Sequence, residues 1–142
     1  MSADLRARLI SVAREWQKQY GVAPAITSAL SEYDAAMLVG CTEEEYSLCT
    51  REQTAVQRGH DFTHSGARYQ VKANRPSGKP GSFVTLVSKP KNYEWEYLVW
   101  ILYDNGYVIQ EAWLWEVGPF KAAFDALPRL APKHMRQGKR IA

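Results

Sequence analysis

The stretch of sequence that decides the fold is residues 59–74, which read Gly-His-Asp-Phe-Thr-His-Ser-Gly-Ala-Arg-Tyr-Gln-Val-Lys-Ala-Asn. Its centre, Ser65-Gly66, has the composition of a tight turn, because glycine adopts backbone conformations that other residues avoid. This turn separates two short segments, residues 60–64 and residues 67–74. The sequence therefore predicts a β-hairpin at this point of the chain.

The second arm of the hairpin alternates between apolar and polar side chains. Successive side chains of a strand point to opposite faces, so one face of this arm is apolar and the other is polar. The apolar positions are Tyr69, Val71 and Ala73, and the polar positions are Arg68, Gln70, Lys72 and Asn74. Gln70 and Lys72 therefore point to the same side, and Asp61 on the first arm lies near them.

Two helices are predicted before the hairpin. Residues 4–19 carry apolar side chains at the three- and four-residue spacing of an amphipathic helix, namely Leu5, Leu9, Val12, Ala13 and Trp16. A second helix is expected to start at Thr27 or Ser28 and to run to Leu38. Residues 41–57 are compatible with a short helix, and we assign no chemistry to them.

Two further strands are predicted after the hairpin, at residues 97–103 and 107–115. They flank Asp104-Asn105-Gly106, a sequence that is typical of hairpin turns. The first of these strands is almost continuously apolar, which indicates a central strand buried on both faces. Residues 83–87 are a weaker candidate for a short strand, after a loop that is rich in glycine and proline.

The C-terminal part of the chain is predicted to contain a short helix at residues 119–127, with proline in its first turn. Residues 128–142 are expected to be a basic tail that is poorly ordered unless it docks. The predicted order of elements is helix, helix, strand hairpin, strand, strand and helix. This order predicts an α/β or α+β fold class, in which helices flank a mixed sheet of four or five strands.

Length and composition limit the class of protein. The 142 residues suit a single domain, and 46% hydrophobic with 23% charged residues is typical of a folded chain. The longest apolar run is far too short to span a membrane, and no signal-peptide pattern is present. Two cysteines do not make a disulfide framework, so we expect a reducing, cytoplasmic location.

The basic residues are concentrated in one part of the chain. The net charge is only +3, but residues 58–91 contain seven basic residues and a single acid, Asp61. A basic surface around one isolated acid suits a phosphate-binding site that contains a metal ligand. Solvated loops rich in lysine and arginine would give the same charge count, so both interpretations stay open.

Asp61, Gln70 and Lys72 are the residues to which we assign chemistry, together with Glu32 on the second predicted helix. Phosphodiester hydrolysis uses carboxylate and carbonyl oxygens to hold one or two divalent ions, which polarise the phosphate and activate water. A lysine beside these oxygens stabilises the charge that develops on the phosphate. The four residues therefore predict a metal-dependent phosphodiesterase site.

Three short motifs carry a resemblance to a known family. Ser31-Glu32-Tyr33, Gly59-His60-Asp61 and Tyr69-Gln70-Val71-Lys72 together resemble the PD-(D/E)XK nuclease superfamily, which has the restriction-endonuclease-like fold. The chain is most similar to small bacterial restriction-like proteins and to the Mrr-like branch, in which glutamine replaces the acid of the (D/E)-x-K element. The resemblance implies a nuclease-like core at residues 28–127 and DNA as the substrate.

The resemblance also implies a role for each candidate residue. Asp61 would be the principal ligand of Mg²⁺ or Mn²⁺, Gln70 would occupy the second ligand position, and Glu32 would complete the metal shell. Lys72 would be the catalytic lysine. The chain departs from the family pattern because His60 stands where proline usually precedes the acid. It also departs because Gln70 is neutral, which weakens the affinity for hard cations.

The expected partners are DNA and a second copy of the chain. The basic residues expected to hold DNA phosphates without reading sequence are Arg68, Arg75, Lys79, Lys89 and Lys91. Trp113 and Trp115 share a strand face that would form a homodimer surface if no helix covers it. The alternative function is a catalytically inactive module on the same fold that binds nucleic acid or protein.

Several other candidate residues are weaker. Asp34 is an alternative to Glu32 as the helix-borne metal ligand, and His60 is a candidate for an auxiliary base or a phosphate contact. His60 and His64 lie four residues apart, but they fall on a strand and its turn with no cysteine close in sequence, which argues against zinc. Cys41 and Cys49 are expected to be ordinary core or surface thiols.

Overall fold

A computed structural model of the chain describes residues 2–52 and 59–142. Within these residues the elements are α1 (Ser2–Tyr20), α2 (Thr27–Leu38), α3 (Glu43–Arg51), β1 (Phe62–His64), β2 (Ala67–Asn74), β3 (Tyr97–Tyr103), β4 (Ile109–Glu116), α4 (Val117–Phe124), α5 (Pro132–Met135) and β5 (Lys139–Arg140). The described strands form a five-stranded mixed sheet, and the α+β class predicted from the sequence is confirmed. Among the described helices, none is both long enough and apolar enough to cross a lipid bilayer.

The strands lie in chain order across the sheet, with β1 and β5 at its edges. β2 and β3 are parallel, and the other neighbouring strands are antiparallel. β3 is the middle strand, and five of its seven residues are buried. Its nearly continuous apolar sequence is explained by this position, because helices or loops cover both faces of the sheet there.

The predicted hairpin is present as β1, β2 and the turn Ser65-Gly66. Both turn residues have positive φ, 49° for Ser65 and 78° for Gly66. Positive φ at both positions is the requirement of the type I′ turn, whose twist matches that of paired strands. β1 is short and pairs only with residues 67–69, so the far half of β2 has an edge that β1 does not cover. This uncovered edge positions the candidate site.

Apolar side chains fill both faces of the sheet. One cluster joins α2 to the hairpin and to β3, with Leu30, Ala35, Phe62, Tyr69, Val71 and Val99 among its buried members. The other cluster joins β3 and β4 to α4 and the C-terminal segment, with Trp95, Trp100, Trp115, Phe120, Phe124 and Met135 among its buried members. The first cluster packs α2 against the hairpin and so brings the acidic residues of this helix to the edge of β2.

The face that carries Trp113 and Trp115 is covered within the chain. Trp115 packs against Phe120 and Phe124 of α4, with ring centroids 5.9 and 4.9 Å apart. The guanidinium of Arg140 lies 5.7 Å from the centre of the Trp113 ring. The sequence predicted a dimer surface on this face only if no helix covered it. Because the face is covered, that condition is not met.

The C-terminal residues dock on the sheet. Leu130 and Met135 are almost fully buried, and the indole N–H of Trp115 donates to the carbonyl oxygen of Met135 at 3.0 Å. β5 then pairs with β4 and adds a strand that the sequence did not suggest. Residues 128–142 are therefore docked on the sheet. The sequence predicted that this segment would be poorly ordered unless it docked.

Residues 83–87 do not form the short strand that was considered for them. Val87 makes one β-bridge, to Leu130. Phe83 and Leu86 are largely exposed, at 81% and 53%. Because Phe83 and Leu86 contribute little burial, a regular strand over this segment lacks the packing that would stabilise it.

The side of α1 that faces the rest of the protein is not the side that carries most of its large apolar residues. Most of its predicted apolar stripe is exposed, namely Leu5, Leu9, Val12 and Trp16. The buried residue on this helix is Ala13, and Ile10 packs beside it. The guanidinium of Arg6 forms an ion pair with Asp34 of α2 at 2.6 Å, which holds this side of α1 toward α2.

Candidate functional site

Asp61 immediately precedes β1 and is fixed to β2 by its backbone and its side chain. Its amide N–H donates to the carbonyl oxygen of Tyr69 at 2.7 Å. Its Oδ2 accepts the amide N–H of Val71, also at 2.7 Å. This N–H lies on the part of β2 that β1 does not reach, so the carboxylate satisfies a donor that would otherwise lack a strand partner. The Asp61 carboxylate is therefore held at the open edge of β2.

Gln70 contacts the same carboxylate oxygen. Its Nε2 donates to Oδ2 of Asp61 at 3.1 Å, so this oxygen accepts hydrogen bonds from both a backbone and a side-chain donor. In this orientation the NH₂ group of Gln70 faces the negative charge. For Gln70 to act as a metal ligand, the amide must turn over so that its carbonyl oxygen faces the ion.

Glu32 reaches the same place from α2. Its pKa is raised to about 7, first because the carboxyl group is partly buried, and second because the Asp61 carboxylate repels its charge and shares a hydrogen bond with it. Asp34, the alternative acid on this helix, is instead buried between Arg6 and Tyr103. The helix-borne acid at the site is therefore Glu32.

Lys72 lies beside these carboxyl groups. It follows Gln70 by two positions on β2, which places both side chains on the same face of the strand. Its pKa is lowered mainly by burial of the ammonium group; Asp61 acts in the opposite direction, and Lys91 lowers it further. The ammonium of Lys72 is thus partly desolvated and within electrostatic reach of Asp61.

Glu32, Asp61, Gln70 and Lys72 line one cavity of about 260 Å³. The rest of the lining comes from the first turns of α2, from β2 and from one loop residue: Thr27, Ser28, Ser31, Val71, Ala73 and Ser88. The lining is mainly polar, which is typical of a site for ions rather than for apolar ligands. The structure therefore brings together all four residues to which the sequence assigned chemistry.

The donor set of this cavity fits a hard divalent cation. Mg²⁺ and Mn²⁺ prefer carboxylate and carbonyl oxygens, and Asp61 with Glu32 offers two adjacent carboxyl groups. The pKa of Glu32 is raised first by burial and second by the neighbouring Asp61 carboxylate, so the two acidic groups repel each other when both are ionised. A bound cation would relieve that repulsion, and the carbonyl oxygen of Gln70 would add a neutral third donor.

The serine hydroxyl groups of the lining have no chemical role in the sequence-based predictions, in which Ser28 is only a possible helix start and Ser31 only part of a motif. Ser28 and Glu32 lie four residues apart on α2, a spacing that puts both side chains on one face of a helix. Ser31 is buried, and its Oγ donates to the carbonyl oxygen of Ser28 at 3.1 Å. Ser88 comes from an irregular segment, and no pattern in the sequence predicts where such a segment lies.

Three of the basic residues expected to hold phosphates make contacts within the protein. Arg68 forms an ion pair with Glu96 at 2.8 Å. Arg75 donates to a backbone carbonyl oxygen at 2.9 Å, and its guanidinium lies over an aromatic ring at 4.3 Å. Lys89 donates to two carbonyl oxygens that follow α4, at 2.9 and 2.7 Å. These partners compete with a phosphate group for the three cations.

The other two basic residues of that set are exposed. Lys79 lies in the loop after β2, and Lys91 lies in the loop before β3. Lys91 is near enough to Lys72 to lower its pKa, so it adds positive charge at the cavity. Arg58, the first basic residue of the stretch, lies outside the described residues.

His60 lies close to the ion pair beside the hairpin. The pKa of Glu96 is lowered mainly by Arg68 and to a smaller extent by His60. His60 is partly buried, and the structure describes it next to this pair rather than in the lining of the cavity.

No protein-family model matches the chain, and no curated protein matches it significantly in sequence. The resemblance to the PD-(D/E)XK superfamily therefore rests on the three short sequence motifs alone.

Proposed function

We propose that the protein is a metal-dependent endonuclease with a restriction-endonuclease-like core, and that it hydrolyses phosphodiester bonds of DNA. The observation that carries the proposal is the shared cavity of Glu32, Asp61, Gln70 and Lys72. These residues come from α2, from the start of the hairpin and from β2. Carboxylates, a carbonyl oxygen and a lysine at one site are the groups that this reaction needs.

Asp61 and Glu32 would hold Mg²⁺ or Mn²⁺, with the carbonyl oxygen of Gln70 as a further donor. When bound, such an ion supplies Lewis-acid polarisation of the phosphate and a more acidic water. Asp61 is well suited to hold a ligand position, because its backbone and one carboxylate oxygen are already anchored to β2. Glu32 must lose its shared proton before it can bind a cation fully, and its pKa of about 7 allows this near neutrality.

Lys72 would stabilise the negative charge that builds up on the phosphate oxygens. Its partial burial strengthens this interaction, because charges attract more strongly where water is excluded. Exposed Lys91 and Lys79 would hold neighbouring phosphates, which gives binding without sequence reading. The proposal therefore predicts DNA binding that weakens steeply as the salt concentration rises.

The test is cleavage of supercoiled plasmid DNA by the purified chain with Mn²⁺ or Mg²⁺. We expect Asp61→Asn and Lys72→Met to reduce the cleavage rate by at least about 100-fold, as is common when charge-stabilising groups are removed. Asp4→Asn and Lys121→Met make the same chemical changes elsewhere and should cleave like the wild type. Equal cleavage by all five proteins would exclude this site as the source of activity.

A second candidate function is a binding module without catalysis, and the orientation of Gln70 favours it. Its NH₂ group, not its carbonyl oxygen, faces Asp61 and partly neutralises the carboxylate without a metal. Calorimetric titration separates the two functions. The module should bind no Mg²⁺ or Mn²⁺ at millimolar concentration but should keep salt-sensitive affinity for DNA.

The variant Gln70→Glu also separates the nuclease from the binding module. If position 70 is a metal-ligand position, the added carboxylate should tighten binding of Mn²⁺ by about tenfold, because hard cations favour charged oxygens. Gln70→Ala removes the same amide without adding a ligand and is the matched control. A nuclease site predicts opposite effects of these two variants on metal affinity, whereas the module predicts no metal binding by either.

A further inference from the structure

A second group of metal-ligating side chains lies at the other end of β1 from Asp61. Cys41 precedes α3, Glu45 belongs to the first turn of α3, and His64 is the last residue of β1. One ligand atom from each residue lies within 4.8 Å of the other two. We propose that Cys41, Glu45 and His64 form a binding site for Zn²⁺.

The chemistry of the three ligands selects the ion. Thiolate, imidazole and carboxylate are the groups that bind Zn²⁺ in proteins, usually with tetrahedral geometry. A sulfur ligand is unfavourable for Mg²⁺, so this group differs in preference from the carboxylates around Asp61. Three protein ligands leave the fourth position to a water molecule, and the side chain of Glu45 is 38% exposed, so water has access.

The backbone already holds these ligands near one another. The hydroxyl of Thr42 accepts the amide N–H of Glu45 at 3.0 Å, which fixes the first turn of α3. The amide N–H of Cys41 donates to the last turns of α2 at 2.9 Å. His64 Nδ1 lies 2.9 and 3.0 Å from the two carboxylate oxygens of Glu45. Binding of an ion would therefore need only small side-chain movements.

A plain ion pair between His64 and Glu45 beside a buried thiol is the competing explanation. That explanation gives no reason for the sulfur of Cys41 to lie within 4.8 Å of ligand atoms of both members of the pair. Cys41 is only 7% exposed, yet its sulfur faces this polar pair. Cys49 is different, because its sulfur accepts the backbone N–H of Thr63 at 3.4 Å.

The proposed ion would join three parts of the fold. It would connect the α2–α3 turn, the start of α3 and the end of β1. Since these segments come together only in the folded chain, binding of Zn²⁺ would stabilise the fold through mass action. This inference does not depend on nuclease activity, because none of its ligands lines the cavity around Asp61.

The test uses the full chain, stripped of metal with a chelator and kept reduced. Zn²⁺ is titrated in competition with a coloured chelator, and we expect one ion per chain and a raised melting temperature. Co²⁺ then replaces Zn²⁺ as a spectroscopic probe. We expect a thiolate-to-cobalt charge-transfer band and strong visible bands of a tetrahedral site. Absence of binding, or bound Co²⁺ without the thiolate band, would overturn the proposal.

Single substitutions assign the ligands. Cys41→Ser and His64→Gln should weaken Zn²⁺ binding by at least about 100-fold, because even residues behind metal ligands contribute tenfold to 100-fold. Cys49→Ser is the matched control for a lost thiol, and Asp61→Asn is the control for the cavity at the other end of β1. Both controls should bind Zn²⁺ like the wild type. A thiolate band that persists in Cys41→Ser, or disappears in Cys49→Ser, would contradict the ligand set.

Discussion

At the scale of single residues, the pair of Glu32 and Asp61 combines an electrostatic cost with a capacity to bind a cation. Without a metal, burial and the charge of Asp61 raise the pKa of Glu32 from 4.5 to about 7. The folded protein thus binds a proton at Glu32 more tightly than the unfolded chain does. Between the two pKa values, the stability contributed by this proton is lost as the pH rises.

We predict that Glu32→Gln stabilises the metal-free protein at about pH 8 by about 1–2 kcal/mol, after allowance for the partial exposure of the carboxyl group. The physical reason is that an amide cannot ionise, so the repulsion from Asp61 disappears. At about pH 5 the wild-type carboxyl group is already protonated, and the two proteins should be nearly equally stable. Urea denaturation at the two pH values measures the difference.

Two controls make the stability measurement specific. Glu15→Gln removes the same charge from the exposed side of α1 and should leave the pH dependence of the wild type unchanged. Addition of Mn²⁺ should stabilise the wild type at about pH 8 and stabilise Glu32→Gln much less, because one ligand is lost. If Glu32→Gln is destabilised equally at both pH values, the side chain of Glu32 acts through its packing and not through its charge.

At the scale of elements, one charged group attaches α1 to the rest of the fold. Asp34 on α2 is only 5% exposed. It accepts two hydrogen bonds from Arg6 at 2.6 and 2.8 Å, and one from the hydroxyl of Tyr103 at 2.6 Å. Burial and the nearby charge of Asp34 raise the pKa of Tyr103, so this hydroxyl stays a donor. The three residues join α1, α2 and β3.

We predict that Asp34→Asn lowers the free energy of unfolding by about 2–4 kcal/mol, because it leaves the partly buried charge of Arg6 without its counter-charge. Urea denaturation measures the loss. Hydrogen exchange should show weaker protection of the amides of α1 than of those of β3, since α1 loses its main attachment.

The control for the loss of an ion pair is Asp4→Asn. Its partner is Arg8 on the same helix, at 3.4 Å, and both side chains are mostly exposed. Loss of that pair should cost less than about 1 kcal/mol. A similar cost for Asp34→Asn and Asp4→Asn would mean that Asp34 does not hold α1 in place.

The elements that the sequence predicted well are those that depend on residues close together in the chain. The hairpin follows from one turn and a period-two pattern, and β3 follows from one apolar run. The rotation of α1 depends instead on Arg6 and Asp34, which are 28 residues apart. No periodicity encodes that pair, so the apolar spacing of α1 predicted the helix but not which of its sides faces the rest of the protein. Docking of the C-terminal segment depends in the same way on Trp115, a distant partner.

At the scale of the whole molecule, the candidate site is partly local and partly assembled by packing. Asp61, Gln70 and Lys72 belong to one hairpin, so their proximity is predictable from strand geometry. Glu32 reaches them only because α2 packs against the hairpin, and the sequence indicated it only through an acid on the predicted helix and through the motif resemblance. The charge count of residues 58–91 did not foresee that Glu96 would pair with Arg68.

At the same scale, α1 exposes apolar side chains along one of its faces. Five large apolar residues of α1 are 39–63% exposed: Leu5, Leu9, Val12, Trp16 and Tyr20. Their spacing of three and four residues is that of a seam between two packed helices. If the protein is the nuclease proposed above, the one cavity of this kind among the described residues would cut one strand at a time, and cleavage of both strands would require two copies. We therefore propose a homodimer that pairs through α1, in place of the covered Trp113 face.

We predict that Val12→Glu and Trp16→Glu each convert a dimer of the wild type into a monomer, because a charge in the helix seam lacks a partner and stays poorly hydrated. Light scattering coupled to size-exclusion chromatography measures the mass. Val108→Glu, at a position 58% exposed outside the helix, is the control and should remain dimeric.

On plasmid DNA the monomeric variants should accumulate nicked circles, whereas the wild type should also give linear molecules. A wild type that is monomeric at high micromolar concentration, or dimers that persist in both α1 variants, would rule out this interface.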